Sequence, residues 1–390
     1  MYDFDKIINR YGTNSMKWDG LKETFEQDNL LPLWVADMDF EVSPAISKGL
    51  EKRVKHPIYG YMHWSDEYYK SVIGWMKRRH GWEIHKDWIV FTPGVVPAVS
   101  YAIKALTDIG DSVIIQTPVY HPFKTTIENN GRNVVTNPLI YKDGTYYMDL
   151  EDLERKIDSK TKVLILCSPH NPVGRVWTKK ELNELGQICL KNNIIIISDE
   201  IHFDLIYKGN THTVMADISP EIRDNCIVCT SPSKTFNIAG LQISNIIIPN
   251  EELREKYSME LEKDHIGRAN VFGQEALIAA YNESEDWLDS LMEYLEENKN
   301  FFIDFIETRI PQLKTIRPEG TYLLWIDCSG LNMSSDELNE FFLNKCKLAL
   351  NSGEMFGEEG KLFQRFNIAC SRAVLEEAFM RIEKAVKEII

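Results

Sequence analysis

From Asp87 to Asn250 the chain alternates short apolar runs with longer stretches whose apolar residues recur at helical spacing. The runs are DWIVF (87–91), DSVIIQ (111–116), NVVTN (133–137), KVLILC (162–167), NIIIIS (193–198), CIVCT (226–230) and ISNIII (243–248). They are β-branched, and most are apolar throughout rather than alternating. That pattern predicts strands buried on both faces, as in a mostly parallel sheet covered by helices. Helix-period stretches at 95–107, 122–129, 178–192 and 251–263 lie between several of them. The seven runs therefore predict an α/β fold, an open, mostly parallel seven-stranded sheet in a three-layer αβα arrangement.

The texture changes on either side. Residues 1–45 carry little periodicity and end in LPLWVADMDFEVSP. Beyond Asn270 the pattern is long and helical at 273–281 and 287–307. Strand-like runs follow at 321–327 and 363–369, with helices near 334–347 and 373–390. This predicts a smaller α+β domain made of 1–45 and 286–390, beside a large domain of 46–285.

Composition narrows the function classes. Of 390 residues, 44 are Lys or Arg and 59 are Asp or Glu, a formal net charge of −15. A general nucleic-acid binder needs a basic footprint, and an anionic membrane surface attracts basic segments, so neither partner is expected. No apolar run approaches the ~18 residues of a membrane span. The N-terminus, MYDFDKIINR, lacks the apolar core of a signal peptide. The seven cysteines are an odd number, several inside apolar runs, which predicts buried thiols in a reducing cytoplasm. Cys226 and Cys229 have CxxC spacing, but with no second pair and an apolar setting they read as structural.

In open α/β sheets ligands sit at the carboxyl ends of the strands. The segments following the runs are TPGVVPAVS, TPVYHPF, SPHNPVGRVW, DEIHFD and SPSKTFNIAGLQ. None contains GxGxxG or GxxxxGK[ST], which argues against dinucleotide binding and nucleoside triphosphate hydrolysis. No metal-binding motif is present. The same loops do suit pyridoxal phosphate (PLP), which needs a lysine amine, an acid for its pyridine nitrogen and donors for its phosphate. Lys234 follows a buried strand, where partial desolvation would ease loss of its charge. Asp199 ends the isoleucine run, where a carboxylate is costly without a cation beside it. Asn171 can donate to the ring 3-oxygen. Ser231 and Ser233 offer hydroxyls, and Gly94, Val95 and Val96 open a helix whose free N–H groups suit a dianion. Tyr120 offers a stacking face. Each residue alone has an ordinary reading as surface charge, helix cap, turn or core; the case rests on their order and their clustering at one sheet edge.

These residues resemble the aspartate-aminotransferase superfamily of PLP enzymes, fold type I, over nearly the whole chain. SPHNPVG resembles that family's asparagine loop, SDEIH its strand-end acid and SPSKTF its lysine loop. FQRFNIA resembles the C-terminal motif whose arginine binds the substrate α-carboxylate, which assigns that role to Arg365. Within the superfamily, NSMKWD (14–19), LWVADMDF (33–40), YGYMHW (59–64) and DEIHFDL (199–205) are most similar to the MalY–PatB type cystathionine β-lyases, or C–S lyases. In that group Tyr61 would reach the phosphate held by the neighbouring subunit, implying a homodimer with shared sites. Val35 and Ala36 would meet the substrate carboxylate end by backbone contact. Two positions depart from ordinary aminotransferases. Leu241-Gln242 stands where many have a phosphate-clamping arginine, and His202 where many have a tyrosine.

The resemblance implies β-elimination from cystathionine or S-substituted cysteines, giving thiol, pyruvate and ammonia, with Lys234 as the catalytic base. An aminotransferase with the same machinery is the alternative, and a PLP-binding protein with a regulatory contact a third. The substrate in the first two is a small amino acid.

Overall fold

The structure is a computed structural model that describes residues 2–389. Met1 and Ile390, which the N-terminal reading and the expected last helix include, lie outside the described residues. All seven apolar runs form strands of one sheet: β1 (Ile89–Thr92), β2 (Ser112–Ile115), β3 (Asn133–Thr136), β4 (Thr161–Cys167), β5 (Ile195–Asp199), β6 (Cys226–Thr230) and β7 (Ser244–Ile247). Their order across the sheet is β1-β7-β6-β5-β4-β2-β3. β7 runs antiparallel to both its neighbours, and the pairings among β3, β2, β4, β5 and β6 are parallel.

The uniformly apolar runs are explained by cover on both faces. Ile114, Leu164, Ile196 and Val228 pack into one core with the helix Lys179–Lys191, whose N-terminus is fixed by a reciprocal Thr178–Glu181 capping box. Val113, Ile165, Ile197 and Ile227 pack into a second core with the helices Val95–Leu106 and Glu251–Lys263. Cys226 belongs to the first core and Cys229 to the second. Three residues apart on a strand, they point to opposite faces and cannot share a ligand. All seven cysteines are buried free thiols.

A second sheet contains β8 (Lys314–Thr315), β9 (Leu323–Asp327), β10 (Asn351–Ser352) and β11 (Phe363–Asn367), in the order β8-β9-β11-β10. The N-terminal segment is stitched to this C-terminal part. Leu31–Pro32 pairs in parallel with Leu348–Ala349, Asn367 N–H donates to Leu33 O, and Asp39 N–H to Ala369 O. That pairing breaks the helix expected over 334–347. A capped turn, Ser335–Glu340, passes into a π-helical turn, Phe341–Lys345, closed by Cys346 N–H to Phe341 O at 3.0 Å. The chain then leaves extended, with Lys347 O accepting from Leu31 N–H. The helices Pro44–Val54 and Asp66–His80 and the hairpin strands Ile140–Lys142 and Thr145–Tyr147 add to the expected elements. No helix among the described residues is long and apolar enough to cross a membrane.

Candidate active site

Parallel strands place their carboxyl ends along one edge, so the loops after Cys167, Asp199 and Thr230 converge. They line a cavity of about 420 Å³ together with the start of the Val95–Leu106 helix, the 34–36 segment and Arg365 from β11. Thirteen of the fourteen residues singled out from the sequence line it: Val35, Ala36, Gly94, Val95, Val96, Tyr120, Asn171, Asp199, His202, Ser231, Ser233, Lys234 and Arg365. The fourteenth, Tyr61, is 98% exposed and lies apart from it, in a surface groove with Arg53 and Met62.

Lys234 sits in a one-turn helix, Pro232–Thr235, whose N-cap is Ser231. Its Nζ donates to Ala36 O at 2.6 Å. Burial, and then the charge of Arg365, bring its pKa down to about 8, against the opposing pull of Asp37 and Asp199. Asp199 is 5% exposed and accepts from Ile201 N–H at 3.1 Å. Burial pushes its pKa up to about 7, and the nearby Lys234 offsets only part of this. Burial also holds His202 well below its ordinary value, with the charges of Lys234 and Arg365 adding to the effect. Its Nδ1 is buried without a partner.

Arg365 is 4% exposed, yet among the described residues no carboxylate meets it. Its guanidinium donates to Asn171 Oδ1 (3.0 Å), Trp34 O (2.9 Å) and Asn351 Oδ1 (2.5 Å), and Nε is buried without a partner. Phe356 lies under the guanidinium at 5.0 Å. A buried cation surrounded by neutral acceptors is costly, and an incoming carboxylate would relieve it.

At the opposite end of the cavity, the N–H groups of Val95 and Val96 open a helix and have no acceptor among the described residues. Ser244 lies beside them through its pairing with Thr92, and its buried hydroxyl has no partner. The set therefore suits a ligand with an anionic group at the helix start and a cationic ring nitrogen at Asp199.

The structure adds detail to the expected contacts. The Ser231 hydroxyl donates to Ile243 O at 2.8 Å and accepts from Ser233 N–H, so its proton is already committed; Ser244 is the unpartnered hydroxyl at that end. The carbonyls of Val35 and Ala36 are engaged, Val35 O by Asn367 Nδ2 and Ala36 O by Lys234 and the Tyr322 hydroxyl. The backbone atom that meets Arg365 is Trp34 O.

Several site residues were not singled out from the sequence. Asn351 reaches Arg365 because β10 pairs with β11 at that register, a long-range fact with no local signal. Asn237 ties the lysine loop to the 38–40 segment, accepting from Met38 N–H and donating to Met38 O and Phe40 O; its φ of 58° is one that Asn tolerates. Behind that segment Lys17, wholly buried, meets Asp39 at 2.7 Å, and Arg10 pairs with both Asp37 and Asp39. NSMKWD and LWVADMDF are thus two halves of one buried ion cluster. In the asparagine loop, Gly174 has φ +74° and a Cβ there would come within 2.6 Å of Pro318, which accounts for the glycine. Among the described residues no group of three or more His, Cys, Asp or Glu side chains is placed to hold a metal ion.

The chain is similar to known proteins over nearly its whole length. The chain is 44% identical to the cystathionine β-lyase PatB of Bacillus subtilis (strain 168), over 98% of this chain and 100% of that one. It superimposes with a TM-score of 0.97 on cystalysin from Treponema denticola, whose structure contains a pyridoxal 5′-phosphate cofactor, at 41% identity and full coverage of both chains. A PLP-bound protein from Clostridium difficile 630 gives a TM-score of 0.97 at 47% identity, covering 99% of this chain and 100% of that one. The family model for aminotransferase class I and II matches residues 29–382, and the chain belongs to that family.

Proposed function

We propose that this protein is a PLP-dependent carbon–sulfur β-lyase acting on cystathionine and related S-substituted cysteines. The observation that carries the reading is the pairing of a buried, uncompensated Arg365 with a partly neutralised Lys234 across one cavity. The first suits an amino acid's carboxylate and the second a condensing amine. The relatives named as cystathionine β-lyases support the choice of substrate class.

Bound there, PLP would supply an electron sink for negative charge at the substrate Cα and a carbonyl carbon that amines condense with. The Val95 and Val96 N–H groups and the Ser233 and Ser244 hydroxyls would hold its phosphate, and Asn171 Nδ2 its 3-oxygen. Asp199 would hold a proton on the ring nitrogen; that cation, in turn, stabilises the ionised carboxylate against the cost of burial. Tyr120 would cover one ring face. Arg365 would take the substrate carboxylate in a two-pronged grip and fix the orientation of Cα–H. Lys234, its pKa already lowered, would accept the Cα proton at Nζ. As the Cα–H bond breaks, Cα=Cβ forms and the Cβ–S bond breaks, its electron pair leaving on sulfur as thiolate. Water then converts the remaining three-carbon fragment to pyruvate and ammonia.

The same reading includes the setting. Residues 1–45 and 286–390 would form a small domain closing over the large one, 46–285. Tyr61, almost fully exposed beside the exposed Ile58 and Tyr59, would enter the site of a second subunit in a homodimer. Seven free, buried thiols suit a cytoplasmic enzyme.

The test is to incubate the PLP-loaded protein with L-cystathionine and assay pyruvate and thiol. Equal amounts of both, with no 2-oxo acid added, support the reading. The family also contains aminotransferases, as its description states. Turnover only with an added 2-oxo acid, and no pyruvate, would establish that alternative instead.

A further inference from the structure

Once the proposed roles are filled, two polar side chains in the cavity wall have no assigned task, His202 and His121. Asp199, Asn171, Ser233, Ser244 and Lys234 would meet the cofactor, Asn351 is bonded to Arg365, and His202 lies within reach of the Lys234 and Arg365 charges, where cofactor and substrate carboxylate would bind. The Cys167 thiol is directed to Pro169 O. His121 remains. It follows Tyr120 in the loop after β2, immediately before the helix Pro122–Asn129, and it lines the cavity. Its ring packs against Tyr120 (5.5 Å between centroids) and edge-on to Phe356 (6.0 Å), the same phenyl ring that lies under Arg365. Neither ring nitrogen makes a hydrogen bond among the described residues, and Nδ1 is shut off from solvent.

The rest of the wall gives this ring its significance. With the carboxylate at Arg365 and the amine at Lys234, the group carried on sulfur has the remaining lining to meet. That lining is Val35, Pro93, Ile201, Ala239 and Ile243, with Trp34, whose indole already donates to Lys17 O, and the Tyr120 hydroxyl. A polar head group would be desolvated there with little compensation unless His121, beside that hydroxyl, met it. Burial and the charge of Arg365 hold the imidazole below its ordinary pKa. At neutral pH it is therefore uncharged, with one nitrogen able to donate and the other to accept.

We propose that His121 is the specificity-determining residue for the sulfur substituent, favouring thioethers with a polar, hydrogen-bonding tail over small alkyl thioethers. The inference rests on the β-lyase reading and deepens it. The test compares the PLP-loaded wild type with His121→Phe and His121→Gln, using L-cystathionine and S-methyl-L-cysteine and reading pyruvate. In H121F the ratio of kcat/KM for cystathionine to that for S-methylcysteine falls roughly tenfold, the loss of one hydrogen bond to a desolvated group. The change lies mainly in KM, and H121Q recovers much of it. Retention of the visible cofactor band shows that each variant is folded and loaded. A ratio within about twofold of wild type in H121F overturns the proposal, and so does an equal loss in H121Q and H121F. Absence of pyruvate from both substrates with the wild type instead refutes the lyase reading, and this inference with it.

Discussion

Lys234 Nζ and the carbonyl oxygen of Ala36 are joined by a 2.6 Å hydrogen bond across 198 residues of sequence. The bond holds the amine at the cavity wall, and Tyr322 Oη donates to the same carbonyl. Ala36 O is in turn fixed by what lies behind it: the Lys17–Asp39 and Arg10–Asp37 pairs, and the Asn237 amide clasping Met38. The Lys234 amine is thus positioned by a segment that begins near residue 10.

Cofactor uptake should follow the state of that amine. Only the uncharged form attacks a carbonyl, and Lys234 has its pKa lowered to about 8. The rate at which cofactor-free protein takes up PLP should rise about tenfold per pH unit below that value and level off above it. Stopped-flow absorbance from about pH 6 to about pH 10.5 measures this. A rate still rising steeply above pH 9 would mean an unperturbed lysine.

Asp199 should trade stability for function. Without the cofactor's ring cation against it, burial holds its pKa up at about 7, against an ordinary 3.8, with Lys234 offsetting only part of the shift. The folded state then retains a proton that the unfolded chain loses, so stability falls as pH rises from about 4 to about 7. Asp199→Asn removes this cost. The cofactor-free variant should melt a few degrees above wild type at pH 8, while its lyase activity falls at least about a hundredfold. Calorimetry with a pyruvate assay checks both; a lower melting temperature at pH 8 would contradict the account.

Arg365→Lys should retain part of the substrate grip and Arg365→Ala very little. The alanine variant loses about 10²-fold or more in kcat/KM, because it removes a charge-assisted, two-pronged contact and leaves three oxygens without their donor. Steady-state kinetics should show most of the loss in KM, with the cofactor absorbance unchanged.

Lys17→Met should destabilise the fold by about 3 kcal/mol by leaving the 9%-exposed Asp39 short of one charge. Asp39 keeps Arg10 and the Trp18 indole, which limits the loss. Its carboxyl is held below the ordinary range by Lys17, Trp18 and Arg10 despite burial, so the variant's deficit should be smaller at acid pH, where the carboxyl protonates. Denaturant unfolding at pH 7 and at about pH 2.5, below the ordinary carboxylate range, tests this.

Much of this was legible in the chain. Seven apolar runs gave seven strands, because a strand covered on both faces has no polar alternation to blur it. Lys234 and Asp199 could be named because each breaks an apolar context with a charge; Arg365 was named only through the resemblance of FQRFNIA to a family motif. What stayed hidden was long-range. The reversal of β7 depends on pairing, not composition. Asn351 reaches Arg365 through strand register alone. The Phe341–Lys345 turn reads as ordinary helix until Leu348 is claimed by a strand near the N-terminus. The helix Asp66–His80 did carry signals, with Ser65 capping Tyr68 N–H, acidic residues in its first turn, basic ones in its last and Gly81 in the left-handed region.

In the proposed mechanism Lys234 alone carries the cofactor and moves the proton. The most direct measurement is borohydride reduction of the PLP-loaded protein, followed by peptide mass spectrometry. A single pyridoxyl-phosphate adduct is expected on the peptide containing Lys234, and none in Lys234→Ala. An adduct on a different lysine, or an unmodified Lys234 peptide from a protein that still releases pyruvate from cystathionine, would contradict it.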